Sequence, residues 1–243
     1  ICDIFQNNMR LHRFYIETPI EGKSFDITDR DLVHQWKKVF RYNVGSQVII
    51  FNGSGTDYLC MISGIRNLGA TVAVIREMKK EDSMPLKNIW LCMALVKKDN
   101  FELIAQKVTE IGVTNIVPIL CEHSEKKKVN MERLKKIVVE ASEQSGRGSV
   151  PKIHSLTKLE DLFNSGMLPQ EKIVLHTENA ITFEKYKTTT NHPSIAVFVG
   201  PEGGFSPKEI AFFKTYNVRL VSLGSNILRA ETAAIAISSL LLL

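Results

Sequence analysis

Two short apolar runs near the end of the chain, at 195–199 and 218–223, are bounded by turn residues, and each stops at a glycine, Gly200 and Gly224. Apolar runs of this length without alternation suit strands buried on both faces, as in a parallel sheet covered by helices on either side. Each turn leads toward a helix. After the first, Ser206-Pro207-Lys208-Glu209 supplies an N-cap hydroxyl, a proline at the first helical position and a glutamate three residues after the cap. Open α/β sheets bind ligands in the crevice beyond the carboxyl ends of their strands. The two turns are therefore expected to lie side by side and form a site.

The first turn narrows the ligand. Gly200-Pro201-Glu202-Gly203-Gly204 lets a ligand approach the backbone closely, since three of its five residues lack a Cβ. It carries a carboxylate and no Lys, Arg, Ser or Thr, whereas a phosphate-cradling loop uses a lysine and a hydroxyl. A fixed anion at Glu202 repels a pyrophosphate and suits a neutral or cationic cofactor. The other reading is a tight turn whose glycines serve backbone geometry alone.

At 243 residues the chain holds one large domain or two modest ones. A net charge of +5 and a pI near 9.0 permit a polyanionic partner without demanding one. Cys2, Cys60, Cys92 and Cys121 form no CxxC pair and read as buried thiols of a reducing cytosol. The six histidines give no HxxxH pair on a plausible helix, so no metal is expected. Residues 1–8 lack the basic and apolar regions of a signal peptide. The apolar tail at 233–243 falls short of the roughly 20 residues that span a bilayer. It reads as a core or dimer-interface helix, and the protein is expected in the cytoplasm, away from membranes.

Between residue 13 and about residue 80, β-rich runs at 14–16, 47–51, 58–62 and 71–75 alternate with turns, including the hairpin signal Asn52-Gly53-Ser54-Gly55 and a turn at Asn67-Leu68-Gly69. This spacing predicts a small barrel, interrupted by one helix near 29–40. The polar stretch 79–85 reads as a linker, which sets domains at 1–80 and 81–243. Strands and helices then alternate as an α/β domain requires. Strands are expected at 89–95, 116–120 and 172–176. Asp99 is expected to cap a helix that ends at Gly112, and Asn130 a second helix running through 143. Thr157-Lys158-Leu159-Glu160 reads as a capping box for a third. Residues 178–192 read as an irregular polar connection. Pattern alone gives a doubly wound sheet.

The residues also carry a family resemblance. Gly200-Pro201-Glu202-Gly203-Gly204-Phe205-Ser206-Pro207-Lys208-Glu209, followed by Leu223-Gly224-Ser225-Asn226-Ile227-Leu228-Arg229-Ala230-Glu231-Thr232-Ala233, resembles the C-terminal signature of the RsmE-type 16S rRNA uridine-N3 methyltransferases of the SPOUT superfamily. Upstream, Gln106-Lys107-Val108-Thr109-Glu110-Ile111-Gly112-Val113 is similar to the family's QKxxELGV helix, and the stretch from Glu140 to Arg147, with Val150-Pro151 after it, to its EAxEQSxR..VP segment. The segment from His34 to Arg41 sits where the family carries HxxxVLR, with Phe40 in place of leucine, and Asn100 and Phe101 depart from the family's usual residues. The resemblance runs from Met9 onward, which makes residues 1–8 an upstream extension or an expression remnant.

The resemblance implies an α/β SPOUT domain with a deep C-terminal trefoil knot, in which the segment 223–232 passes through a loop, preceded by a PUA-like RNA-binding β-barrel. It implies S-adenosylmethionine (SAM) held among three loops: Leu175 and His176; Gly200, Pro201, Glu202 and Gly203; and Leu223, Gly224, Ile227 and Leu228, with Thr232 and Ala233 behind them. It also implies a homodimer acting on 16S rRNA in the 30S subunit. Arg229 is the candidate to stabilise the uracil oxygens as N3 loses its proton, and Glu202 the candidate to orient the base or accept that proton. Arg13, Arg41, Lys97, Gln144 and Arg147 are expected to face RNA. Alternatives stand beside these roles. Arg229 reads equally as an ion-pair partner of Glu231 or of a second subunit. The basic cluster of Lys126, Lys127, Lys128, Arg133, Lys135 and Lys136 reads as a solvated face or as a phosphate footprint. A non-catalytic RNA-binding module that keeps the fold is the second functional reading.

Overall fold

The computed structural model describes residues 11–66, 68–79, 87–125, 127–189 and 192–243. The extension 1–8, Asn67 of the expected turn, most of the expected linker and Lys126 lie outside the described residues. The chain divides into two compact units, Ile1–Met84 with Glu143–Ser149, and Pro85–Ser142 with Val150–Leu243.

The first unit contains β1 (Arg13–Tyr15), β2 (Ser24–Ile27), α1 (Arg30–Lys38), β3 (Gln47–Phe51), β4 (Thr56–Ile65) and β5 (Ala70–Lys79). Its sheet has the order β1-β3-β4-β5-β2, parallel between β1 and β3 and antiparallel elsewhere. Register shifts in the β4–β5 pair fall between Leu59 and Cys60 and between Ile62 and Gly64, where such irregularities increase the local strand twist. Val48, Ile50, Cys60, Ile62 and Val72 point inward against Val33 and Trp36 of α1. Asp29 caps α1 by accepting from the amides of Asp31 and Leu32. The strand β2 escaped the sequence reading because Ser24-Phe25-Asp26-Ile27 offers only two apolar residues, of which Ile27 alone is buried.

Arg13 organises this unit. Its guanidinium donates to both carboxylate oxygens of Asp57 at 2.9 and 2.6 Å, lies over the Phe51 ring at 4.2 Å and reaches the carbonyl of Arg147 at 2.8 Å. The Glu143 carboxylate accepts from the Tyr15 amide at 2.9 Å, and the Gly55 amide donates to the Gly148 carbonyl. The segment Glu143–Ser149 thereby belongs to a unit far from it in sequence.

The second unit holds β6 (Asn88–Ala94), α2 (Lys98–Ile111), β7 (Asn115–Leu120), α3 (Met131–Ser145) up to Ser142, β8 (Lys152–Ile153), β9 (Thr157–Lys158), α4 (Leu159–Asn164), β10 (Glu171–Leu175), β11 (Ile181–Thr182), α5 (Phe183–Thr189), β12 (Ser194–Val199), α6 (Pro207–Thr215), β13 (Arg219–Ser222) and α7 (Ala230–Leu242). The strands run in the order β11-β13-β10-β12-β6-β7-β8, with β9 also on β7, and every pairing is parallel. Alternate strand residues feed two cores. Leu91, Met93, Val197 and Ile173 pack with α2, α3, α5 and α7, whereas Cys92, Ala94, Phe198 and Val174 pack with α4 and α6. Among the described residues no helix is long and apolar enough to cross a membrane. Cys60, Cys92 and Cys121 are buried free thiols, and burial pushes the Cys60 thiol up to about 12. Cys2 lies outside the described residues.

Three local expectations are corrected. Asp99 sits inside the first turn of α2, whose N-cap is Lys97, with no side-chain cap. Thr157 and Lys158 join the sheet through β7, so α4 starts without the expected capping box. The stretch 178–192 contains β11 and α5, anchored by buried Phe183 and by Tyr186, whose hydroxyl donates to Glu171 at 3.0 Å.

Arg13 and Asp57 side chains are 9% and 3% exposed. Removing one partner takes a close, nearly buried opposite charge from the other, a loss on the scale of about 3–5 kcal/mol. Asp57→Ala is expected to lower the stability of the first unit by that amount in urea denaturation followed by Trp36 fluorescence in a Trp90→Phe background. An unchanged midpoint would show that the pair contributes nothing.

Candidate active site

Strands β10, β12 and β13 end at one edge of the sheet, at Leu175, Val199 and Ser222. The two glycine-bearing turns do not follow neighbouring strands, as the sequence suggested, because β10 lies between β12 and β13. Its own end supplies a third wall. All three turns line one cavity of about 730 Å³, within the range typical of small-molecule sites.

The expected residues Leu175, His176, Gly200, Pro201, Glu202, Gly203, Leu223, Gly224, Ile227, Leu228 and Ala233 all line it, as does Arg229. Thr232 is not among them. Ala230 and Ala233, one turn apart on α7, face the cavity, and helical rotation turns Thr232 to solvent. Lys97, Asn100, Thr177, Ser222 and Asn226 also line it and were not foreseen as cofactor contacts. Lys97 had been expected at RNA.

The turn after β12 is shaped from outside. The Gly204 amide donates to the Pro201 carbonyl at 2.9 Å, and Gly204 has φ of 69°. A Cβ on Gly200 would lie 3.2 Å from the Phe205 ring, and one on Gly203 3.2 Å from His123 Cβ. At these two positions a side chain would press on its protein neighbours, which would have to shift by a few tenths of an ångström. Ser206 and Glu209 form the complete capping box foreseen for α6, and the other oxygen of Glu209 accepts from the Glu122 amide at 2.9 Å. His123, immediately after Glu122, places Nδ1 3.1 Å from the carbonyls of both Gly203 and Gly204. The sequence offered one signal for His123, its place just beyond the carboxyl end of a strand.

Glu202 stands exposed at the start of α2 and accepts from the Lys97 amide across a long 3.4 Å contact. The positive end of the helix dipole, with no side-chain cap of its own, favours this carboxylate. The last wall is flexible in chemistry but held in shape. Ser222 Oγ donates to the Gly224 carbonyl at 2.9 Å, and Gly224 has φ of 131°. Ile227 is 88% exposed in the cavity lining. Arg229 is the N-cap residue of α7, and among the described residues it makes no ion pair with Glu231.

The residues expected at RNA separate. Arg41 is exposed in a left-handed conformation, with φ of 55°, and Gln144 is exposed. Arg13 donates to the Arg147 carbonyl within the first unit, where both residues are part-buried, and burial pushes the Arg147 guanidinium down from its ordinary value. Within the basic cluster, Arg133 pairs with Glu102 and Lys135 with Glu132, while Lys127 and Lys128 are exposed.

Known proteins share this architecture. An RNA methyltransferase domain matches residues 82–242 and an RNA methyltransferase PUA domain residues 37–75. The ribosomal RNA small subunit methyltransferase E of Rickettsia conorii is 33% identical, covering 93% of both chains. Its namesake in Bacillus subtilis is 29% identical over 92% of this chain and 93% of the relative. A Neisseria gonorrhoeae ribosomal RNA small subunit methyltransferase E bound to SAM superposes with a TM-score of 0.84 at 26% identity, over 96% of this chain and 97% of the other. A Legionella pneumophila protein described as a methyltransferase, solved in complex with SAM, superposes at 0.87 with the same identity and coverage. With this fold, this cavity and these relatives, the chain belongs to the RNA methyltransferase family that includes ribosomal RNA small subunit methyltransferase E.

Proposed function

We propose that this protein transfers a methyl group from SAM to N3 of a uridine in 16S rRNA of the 30S subunit. The observation that carries the reading is the convergence of three strand ends on one cavity, with Glu202 and Arg229 both in its lining. The lining suits SAM. Leu175, Val199, Val221, Leu223 and Leu228 offer apolar surface, and the Gly200 to Gly204 turn presents a carboxylate where a phosphate site would present a cation. A Cβ on Gly224 would meet nothing within 4 Å, so this wall leaves room for a ligand against the backbone.

When bound, SAM supplies a methyl group activated by its sulfonium charge. The protein has three tasks around it. The cavity holds nucleophile and methyl in line, and such positioning lowers a barrier by up to roughly 7–11 kcal/mol. Glu202, held at the α2 N-terminus, orients the uracil or accepts the N3 proton. Arg229 sets a positive charge beside the uracil oxygens, where negative charge builds as that proton leaves.

In this reading residues 1–80 form the RNA-binding PUA-like domain and residues 81–243 the catalytic domain. Arg41, Lys97 and Gln144 meet the rRNA, and Arg13 and Arg147 hold the segment that presents Gln144. The segment 223–232 passes through a loop as a trefoil knot, a reading supported by the signature residues and by the convergence of its three loops. The enzyme works in the cytoplasm as a homodimer, for which the exposed Ile227, Leu240 and Leu243 are apolar surface to cover.

Labelled methyl transfer to unmethylated 30S subunits, followed by nucleoside mass spectrometry, is expected to yield 3-methyluridine; cofactor binding without any transfer would contradict the reaction. Arg229→Ala is expected to lower kcat by about 100- to 1,000-fold while SAM affinity stays nearly intact. A large loss of SAM affinity would remove the role given to Arg229.

A further inference from the structure

We infer that His123 is a positioning residue for the cofactor loop, its Nδ1–H tethering the carbonyls of Gly203 and Gly204 and so setting where Glu202 stands. This rests on the reading that the cavity takes SAM. Nδ1 lies 3.1 Å from each oxygen. Carbonyl oxygens only accept, so Nδ1 carries the proton whatever the state of Nε2.

The turn that carries His123 is itself held. The Ser124 amide donates to the Cys121 carbonyl at 3.1 Å, and the Cys121 amide donates to Ser124 Oγ at 3.2 Å, which closes the turn containing His123 from both ends. The Glu122 amide ties the same turn to Glu209 in the first turn of α6. A Cβ on Gly203 would stand 3.2 Å from His123 Cβ, a tight contact that places the loop backbone directly against this side chain.

What the tether restrains is a pair of adjacent glycines, the residues with the most backbone freedom to lose. Glu202 directly precedes them, and rotation of the following peptide would swing its carboxylate away from the Lys97 amide. Helix α6 does not need His123, because Ser206 and Glu209 already cap it. The bond is therefore directed at the loop and at the cavity behind it.

The test uses the full chain with His123→Ala, His123→Phe and His123→Asn, the last because an asparagine amide nitrogen can stand where Nδ1 stands. Hydrogen exchange of the amides at 202–205 is read without ligand, and SAM affinity is read by calorimetry. One or two hydrogen bonds of ordinary strength predict about 3- to 10-fold faster exchange and 3- to 10-fold weaker SAM binding in the Ala and Phe variants, with KM for SAM rising more than kcat falls. His123→Asn is expected to recover most of both. Exchange and affinity within about twofold of the parent in His123→Ala, or no recovery in His123→Asn, would overturn the proposal. A parent protein with His123-dependent exchange that binds no SAM would overturn the functional reading and leave the tether standing.

Discussion

The whole site depends on one constraint, a parallel sheet that must be buried on both faces. Strands such as β12, buried at every position from Ile195 to Val199, force helices onto either side, and each crossover returns the chain in the same direction. Every carboxyl end then meets the same edge. Gly200, Leu223 and His176 are far apart in sequence and come together because β12, β13 and β10 share that edge.

On this scaffold the electrostatics are set by placement more than by burial. Glu202 is exposed, and its carboxylate is favoured by the bare N-terminus of α2. Lys97 cannot cap its own helix with an acceptor, so a residue from another loop takes that place. Arg229 occupies the equivalent position at the start of α7, free of Glu231 and lining the cavity. A carboxylate and a guanidinium thus stand at two helix starts around one space.

The sequence disclosed what is local. The Ser206 to Glu209 capping box, the Asn130 cap and the Gly112 terminus lie where the residues predict, because each is closed by neighbours within four positions. Thr157-Lys158-Leu159-Glu160 carries the same local pattern and fails, because β7 captures Thr157 and Lys158 first. Residues 178–192 look polar, yet Phe183 and Tyr186 are spaced to bury on one face of α5, with Glu171 from β10 receiving the Tyr186 hydroxyl. Most cavity residues were legible through the signature blocks. The insertion of β10 between the two turns, the contact of Glu202 with Lys97 and the role of His123 were not, since each joins residues tens of positions apart.

Glu202 lines the cavity, and its carboxylate is expected to make the cavity prefer a cationic cofactor. The most direct measurement compares the affinities of SAM, with its sulfonium charge, and S-adenosylhomocysteine, which lacks it, in the parent protein and in Glu202→Gln. The substitution is expected to lower the SAM-over-S-adenosylhomocysteine preference by about two- to fivefold, the scale of a solvent-exposed charge pair. An unchanged ratio would contradict it.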